Sequence, residues 1–264
     1  MYEILRGVQP GEWVLDLGCQ AGSFPQAVTA GRVVRIDREF AGAMQGERAV
    51  ACDAARLPFH GRTFSAVICN HSLEHIDRLS EALMEIGRVV TPGGALYVAV
   101  PDVTTVTDKL YRWISRGGGH VNGFDSAPRL ALRIEEATGL PHRGTKELFS
   151  SLSFLNRNHA PRPTPRRLML LGGGREWTLF LYVALSRWLD RRLGTRLGHY
   201  GWALYFGGVP ERLTLDACPN VCVRCGAGHA AHFLRQRGLV RRTFARRQVY
   251  DCPGCGAVNP LVSI

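Results

Sequence analysis

The stretch Val14-Leu-Asp-Leu-Gly-Cys-Gln-Ala-Gly22 decides the fold. Trp13 to Leu17 is an apolar run of strand length, and Gly18 and Gly22 bracket a turn behind it. Such a turn lets the backbone approach a ligand closely and opens a helix whose N–H groups point at an anion. A Gly-x-x-x-Gly turn is also common as a purely structural device, so the surroundings have to decide between the two. Further along, Arg32-Val-Val-Arg-Ile-Asp37 reads as a second strand, Ala49 to Cys52 as a short third, Phe64 to Asn70 as a fourth and Ala95 to Val100 as a fifth. Between the last two, Leu79, Leu83, Ile86 and Val90 fall on one face of a helix, and Thr91-Pro-Gly-Gly94 ends it. Strands alternating with helices predict an α/β fold with a Rossmann-like, largely parallel sheet and flanking helices. In such sheets ligands sit at the carboxyl ends of the strands.

Acidic residues fall at those ends. Asp37 closes the second strand about twenty residues after Asp16, where a carboxylate can accept from both ribose hydroxyls of an adenosine. Asp53, after the third strand, is placed to accept from an exocyclic amine of the base. This spacing suits a nicotinamide dinucleotide as well as S-adenosylmethionine (SAM).

Val14–Gly22 closely resembles the first motif of class I SAM-dependent methyltransferases, Val-Leu-Asp-Leu-Gly-Cys-Gly-x-Gly. Val34-Arg-Ile-Asp37 resembles the acidic motif that follows, and Asp53-Ala-Ala-Arg-Leu-Pro-Phe59 is similar to Asp-Ala-x-x-Leu-Pro-Phe. Ser72-Leu-Glu-His75 and Glu85-Ile-Gly-Arg-Val-Val-Thr-Pro-Gly-Gly94 resemble the signature ending in Arg-Val-Leu-Lys-Pro-Gly-Gly. The five motifs occur in order across residues 13 to 102, the pattern of the methyltransferase-11-like group. Gln20 departs from it, standing where the family often has glycine. The resemblance implies that Asp16 and Gly18 contact the methionine end of SAM and that Gly22 permits the helix turn. It implies further that Asp37 holds the ribose, that Asp53 and Ala54 lie at the adenine, and that Asn70 and His71 lie near the sulfonium.

Methyl transfer from SAM is a direct displacement, so alignment supplies much of the rate and a general base is optional. The candidates for a catalytic side chain are His71, His75 and His120, each with a structural role as its alternative. His120 lies in Gly117-Gly-Gly-His-Val-Asn-Gly-Phe-Asp125, similar to a loop that covers the acceptor pocket in related enzymes. Glu74 and His75 suit a loop-fixing role. The fourth strand runs into Cys69-Asn-His-Ser72, not an Asn-Pro-Pro-Tyr segment, which argues against methylation of nucleobase amines. Pro101-Asp102 offers no Pro-Cys nucleophile for cytosine C5 chemistry.

The chain's net charge of +11 is unevenly placed. Residues 1–150 carry 16 Lys and Arg against 17 Asp and Glu, whereas residues 151–264 carry 17 against 5, all 17 of them Arg. An Arg-rich half suits nucleic acid, an anionic membrane surface or a phosphorylated substrate, and a GC-rich genome would also enrich Arg. Pro161-Arg-Pro-Thr-Pro165 is linker-like. Trp177-Thr-Leu-Phe-Leu-Tyr-Val-Ala-Leu-Ser-Arg-Trp-Leu189 is apolar and aromatic and is accompanied by Arg175, Arg187, Arg191 and Arg192. It is too short to span a bilayer, and it reads either as a core helix or as one lying in a membrane interface. No apolar window reaches about 18 residues, so a spanning helix is not expected. Met1 to Gly11 does not read as a signal peptide.

Cys222-Val-Arg-Cys225-Gly226 and Cys252-Pro-Gly-Cys255-Gly256 are two Cys-x-x-Cys knuckles with 26 residues between them. Each pair suits a tetrahedral ion, and together they predict a small structural zinc ribbon with no open coordination position. A redox pair and a disulfide framework are the alternatives, and Cys218 is near enough to be considered as a ligand. Cys19, Cys52 and Cys69 fall on or beside buried elements, as expected of reduced thiols in a cytoplasmic protein. Between the knuckles, Arg235-Gln-Arg237 and Arg241-Arg-Thr-Phe-Ala-Arg-Arg247 suit phosphate contacts or a solvated hairpin face.

The expected organisation is a SAM-binding methyltransferase domain over 1–156, an Arg-rich helical insertion or linker over 157–216 and the zinc ribbon over 217–264. The expected function is methylation of a small-molecule, glycan or lipid-linked acceptor, with peripheral membrane contact through 177–189. An RNA methyltransferase docking through its basic ribbon, and a non-enzymatic binding module on the same fold, are the alternatives.

Overall fold

The computed structural model describes residues 1–20, 22–40, 48–115, 118–158, 173–210, 213, 215–243 and 247–262. The Pro161–Pro165 linker and Arg246 lie outside them, as do Ala21 and Gly117. Two compact units interleave along the chain. The first comprises Met1–Asp102, Gly119–Lys146 and Trp202–Leu215, and the second Val103–Gly118, Glu147–Gly201 and Asp216–Ile264.

The elements of the first part are α1 (Tyr2–Leu5), β1 (Trp13–Leu17), β2 (Arg32–Asp37), β3 (Arg48–Ala51), β4 (Phe64–Asn70), α2 (Leu79–Val89) and β5 (Val90–Pro101). They are followed by α3 (Val106–Ile114), α4 (Ala127–Thr138), β6 (His142–Phe149), α5 (Glu176–Leu193) and β7 (His199–Gly207). The main sheet has seven strands in the order β3-β2-β1-β4-β5-β7-β6, and β1, β2, β3, β4 and β5 pair in parallel. This is the expected Rossmann-like architecture. The central strands are buried on both faces, as parallel strands must be, which explains the near-continuous apolar runs of β1 and β4. Leu15, Leu17, Val67, Leu96 and Val98 build the core from the sheet, and Leu83 and Ile86 of α2 with Leu130 and Ile134 of α4 cover it.

Three expectations need correction. No α-helix follows the glycine turn. Only a short 3₁₀ segment, Gln26–Val28, lies between Gly22 and β2, because Pro25 and Gly31 punctuate a connection too short for helix and turns together. The fifth strand starts at Val90, not Ala95. Phe64 pairs with Val90 and Ala66 with Ala95, so Thr91–Gly94 is an excursion inside the strand that leaves both flanks paired. The stretch 157–216 contributes α5 as expected but also β7, whose run His199-Tyr-Gly-Trp-Ala-Leu-Tyr-Phe-Gly207 is rich in buried aromatics and inserts between β5 and β6. The two compact units each draw on more than one of the stretches 1–156, 157–216 and 217–264. Trp202–Leu215 belongs to the first unit, and Val103–Gly118 to the second.

The second unit holds α3, α5 and the cysteine-bearing elements β8 (Asn220–Val221), β9 (Gly228–His229), α6 (Ala231–Gln236), β10 (Val240–Arg242), β11 (Gln248–Asp251) and β12 (Val258–Pro260). These form a two-stranded β8-β9 sheet and a three-stranded β10-β11-β12 sheet, both antiparallel. The helix α5 has two apolar faces. Leu179 and Val183 pack with Leu152, Leu155 and Val223. Trp177, Leu181, Leu185 and Trp188, spaced i, i+4, i+8 and i+11, form an opposite stripe, and each is about half exposed. No helix among the described residues is long and apolar enough to cross a membrane.

Candidate active site and cysteine cluster

The parallel order β3-β2-β1-β4 brings the carboxyl ends of four strands to one edge, and side chains tie them together in sequence. At β1, Asp16 is fully buried, and its Oδ2 accepts from the Ser23 N–H at 2.9 Å and lies 3.5 Å from Arg35 Nε. Burial raises the Asp16 carboxyl, while the Ser23 N–H and the Arg35 guanidinium oppose that rise. Arg35 is itself buried in β2 and donates to the Phe24 carbonyl at 2.8 Å. The pair thus holds the glycine turn from beneath, with the Asp16 side chain fully buried.

Gly18 and Gly22 are required sterically. Gly18 has φ +67°, and a Cβ there would lie 2.4 Å from the Cβ of Ser72 after β4. Gly22 has φ +99°, and a Cβ there would lie 3.1 Å from Arg35 Nε. Gln20 sits between them with φ +46°, a left-handed conformation that costs a side-chain-bearing residue about 1–2 kcal/mol. This explains why glycine is usual at that place in the family pattern. Gln20→Gly should stabilise the chain by about 1 kcal/mol, read as a higher midpoint in urea with an unchanged slope; a lower midpoint would show that the glutamine makes a compensating contact.

At β2, the half-buried Asp37 accepts from the Gln20 N–H through Oδ2 at 2.8 Å, strapping the turn to the second strand. Its carbonyl accepts from the Cys52 N–H at 3.0 Å, which sets the end of β3 beside it. Asp53 follows, partly exposed, with Oδ1 accepting from the Ala55 N–H at 2.9 Å and Arg38 within 3.9 Å. Ala54 is half-buried next to it. The Leu57-Pro-Phe59 loop behind them is held by Glu85, which accepts from the Leu57 N–H, and by Arg88, which donates to the Leu57 and Phe59 carbonyls. The two motifs are therefore one structural unit.

At β4, Asn70 and His71 are half-exposed, and His71 has φ +56°. A non-glycine residue held left-handed is a strained feature of the kind that gathers at functional sites. Glu74 is 1% exposed, and its Oε1 lies 3.6 Å from His71 Nδ1. The segment 119–122 folds over this turn. The Val121 and Asn122 N–H groups donate to the Glu74 carbonyl, Asn122 Nδ2 donates to the Leu73 and Ile76 carbonyls, and His75 Nδ1 lies 3.0 Å from the Gly119 carbonyl. These bonds bring the rings of His75 and His120 to 4.8 Å, edge to face. The three candidate histidines thus gather around Glu74, although His120 is 45 or more residues from the others in sequence. The sequence did not single out Arg35 or the burial of Glu74. The signals available were a charge inside an apolar strand and a carboxylate next to two histidines.

Among the remaining thiols, burial pushes Cys19 up to about 12 and Cys52 up to about 11, and raises Cys69 as well. They stay protonated at neutral pH and are unsuited to nucleophilic chemistry.

In the second unit, Cys222, Cys225, Cys252 and Cys255 bring their sulfurs within 4.8 Å of one another. The Cys222–Cys255 and Cys225–Cys252 separations are both 3.6 Å. A disulfide requires about 2.05 Å, whereas a tetrahedral ion with sulfur ligands at about 2.3 Å holds them about 3.8 Å apart. The two knuckles are built alike. Cys222 and Cys252 donate from N–H to the carbonyls of Ala227 and Ala257, and Gly226 and Gly256, at φ +72° and +71°, donate back to the carbonyls of Cys222 and Cys252. Burial raises the Cys222 and Cys225 thiols, whereas hydrogen bonds lower that of Cys255. Cys218 lies outside the cluster. The knuckles also join α5. Arg224 makes two hydrogen bonds to Glu176, at 2.6 and 3.0 Å, which draw the Glu176 carboxyl down to about 2. Part of the Arg excess is spent internally: Arg187 is buried against the Ser150 carbonyl, Arg224 pairs with Glu176 and Arg241 with Asp251.

Residues 15–98 match the family model described as a methyltransferase domain. Demethylmenaquinone methyltransferase of Beutenbergia cavernae is 36% identical over 101 residues, 35% of this chain and 42% of that protein. The Mus musculus protein named Probable tRNA methyltransferase 9B is 29% identical over 110 residues, 37% of this chain and 24% of that one. The chain thus spans less than half the length of these curated relatives. Among solved structures, a geranyl diphosphate methyltransferase in complex with GPP and sinefungin superposes with a TM-score of 0.52 at 16% identity, covering 79% of this chain and 75% of its own. That likeness establishes the methyltransferase fold.

Proposed function

We propose that the chain is a SAM-dependent methyltransferase acting on a small-molecule, glycan or lipid-linked acceptor. The observation that carries this reading is the continuous row formed at the carboxyl ends of β3, β2, β1 and β4, in which Asp53, Asp37, the glycine turn and the Asn70–His71 corner succeed one another. The row fits the cofactor's chemistry: partly exposed carboxylates for hydroxyls and an amine at one end, and a close-packed backbone turn in the middle. Asp37 would hold the ribose, Asp53 and Ala54 would flank the adenine, Gly18 and Gly22 would shape the turn at the methionine end, and Asn70 would face the sulfonium. Bound SAM supplies an activated methyl group. His71, His75 and His120 would position the acceptor or take its proton. With no helix after the turn, the loop N–H groups and side chains carry the recognition without a helix dipole.

In the second unit, the four cysteines would hold one structural zinc ion. The exposed stripe of Trp177, Leu181, Leu185 and Trp188, next to Arg191 and Arg192, favours a lipid-linked acceptor approached from a cytoplasmic membrane surface. An RNA acceptor draws support from the basic excess, which the internal pairing of Arg187, Arg224 and Arg241 reduces.

Incubation with methyl-tritiated SAM and fractionated cell extract should place label in the small-molecule or solvent-extractable lipid fraction. Label in ribonuclease-sensitive, acid-insoluble material would favour RNA. Replacing Trp177 and Trp188 together by Asp should weaken sedimentation with phosphatidylglycerol vesicles about tenfold or more, on the order of 1.4 kcal/mol. Equal sedimentation of both proteins would remove the membrane reading.

A further inference from the structure

The cluster at the end of β4 has the composition of a metal site. Glu74, His75 and His120 each present one ligand atom, and these atoms lie within 4.8 Å of one another. The carboxylate is the unusual member. Glu74 is 1% exposed, and its Oε2 has no hydrogen-bond partner among the described residues. A buried carboxylate oxygen without a donor is costly unless a cation or a proton meets it. The histidines are arranged as ligands are. A carbonyl can only accept, so the 3.0 Å contact of His75 Nδ1 with the Gly119 carbonyl places the proton on Nδ1 and the lone pair on Nε2. Donation of the second ring N–H to a backbone carbonyl is the usual way in which a ligating histidine is oriented. Both histidines are half-buried, so the cluster combines a buried carboxylate with two partly exposed imidazoles.

We propose that Glu74, His75 and His120 form a second metal site that takes one divalent transition-metal ion. A nitrogen-rich set with one carboxylate suits zinc, iron, cobalt or manganese better than calcium or magnesium. The site is the opposite of the cysteine cluster. Four thiolates complete a tetrahedron, whereas three protein ligands leave at least one position open, the property of catalytic and not structural sites. His71 Nδ1 lies 3.6 Å from Glu74 Oε1, so a third imidazole borders the cluster. The open position favours an oxygen ligand, and a metal ion there lowers the pKa of a hydroxyl and so suits an oxygen acceptor. This last clause rests on the methyltransferase reading; the metal site does not.

The test is titration of Co2+ alone into the zinc-loaded full chain, followed by visible absorption, for wild type, Glu74→Gln and His120→Ala. Wild type should take up one equivalent with d–d bands and without the thiolate-to-cobalt charge transfer that uptake by the cysteines would give. Both variants should bind at least tenfold more weakly. Glu74→Gln keeps the side-chain volume, and His120→Ala changes a half-exposed loop residue, so a folding defect in one is checked against the other by far-ultraviolet circular dichroism. Wild-type uptake no tighter than in both folded variants, or uptake showing only charge-transfer bands, overturns the site. SAM titration on the same samples is read separately: Co2+ binding without SAM binding keeps the metal site and removes the methyltransferase reading, and the reverse does the opposite.

Discussion

Cys252→Ser should remove the zinc proposed for the four cysteines and unfold the β8-β9 and β10-β11-β12 region. The buried residues that pack this region are Cys222, Leu234, Tyr250, Cys252, Ala257 and Leu261, so two of the six belong to the four-sulfur cluster. Its strands are two to four residues long. A core this small does not offset the entropy of ordering the chain, and small domains of this kind depend on a metal. Structural zinc contributes about 10–16 kcal/mol of apparent binding energy in such sites, and it is folding energy because the site does not exist in the unfolded chain. The substitution should remove zinc that withstands dialysis in wild type and raise the rate of limited proteolysis within residues 217–262 by at least a hundredfold. Cys218→Ser should change neither, because that sulfur lies outside the cluster. Unchanged proteolysis in zinc-free Cys252→Ser would show that the packing of Val223 and Leu234 suffices without an ion.

The second large effect is expected at Asp37. Its carboxylate straps the glycine turn through the Gln20 N–H and faces the place assigned to the ribose. Hydrogen bonds to a charged group contribute about 1.5–3 kcal/mol each, so losing those to two hydroxyls should weaken SAM about a hundredfold or more. Asp37→Asn separates the two roles: an amide oxygen can still accept from the Gln20 N–H, but the neutral side chain is a weaker acceptor for the ribose. Both variants should bind SAM weakly, and only Asp37→Ala should also lose stability.

The sheet was legible because the apolar runs of β1, β2 and β4 are bounded by turn residues, so local pattern and topology agree. Asp37 was legible as the end of β2, and Asp53 as a residue just after β3. Three things were hidden, each for a physical reason. The missing helix after Gly22 depends on the short distance to β2 and on Pro25, which a motif centred on the turn does not weigh. The strand His199–Gly207 follows a helix at the far side of a long insertion, and nothing local announces that its aromatics belong between β5 and β6. The assembly of His120 onto Glu74 and His75 is a tertiary contact made by Asn122 and the Val121 N–H, and periodicity carries no information about it. The cysteine cluster lay at the other extreme: knuckle spacing alone gave its four members, because two residues between cysteines leave little freedom in where the sulfurs go.

Calorimetric titration of SAM into the folded, zinc-loaded chain shows whether the row from Asp53 to Asn70 is a SAM site. Wild type should bind with a micromolar dissociation constant, about −8 kcal/mol, and Asp37→Ala should show no binding at the same concentrations. A folded, zinc-loaded wild type that takes up no SAM would contradict the account and make the chain a binding module built on a methyltransferase fold.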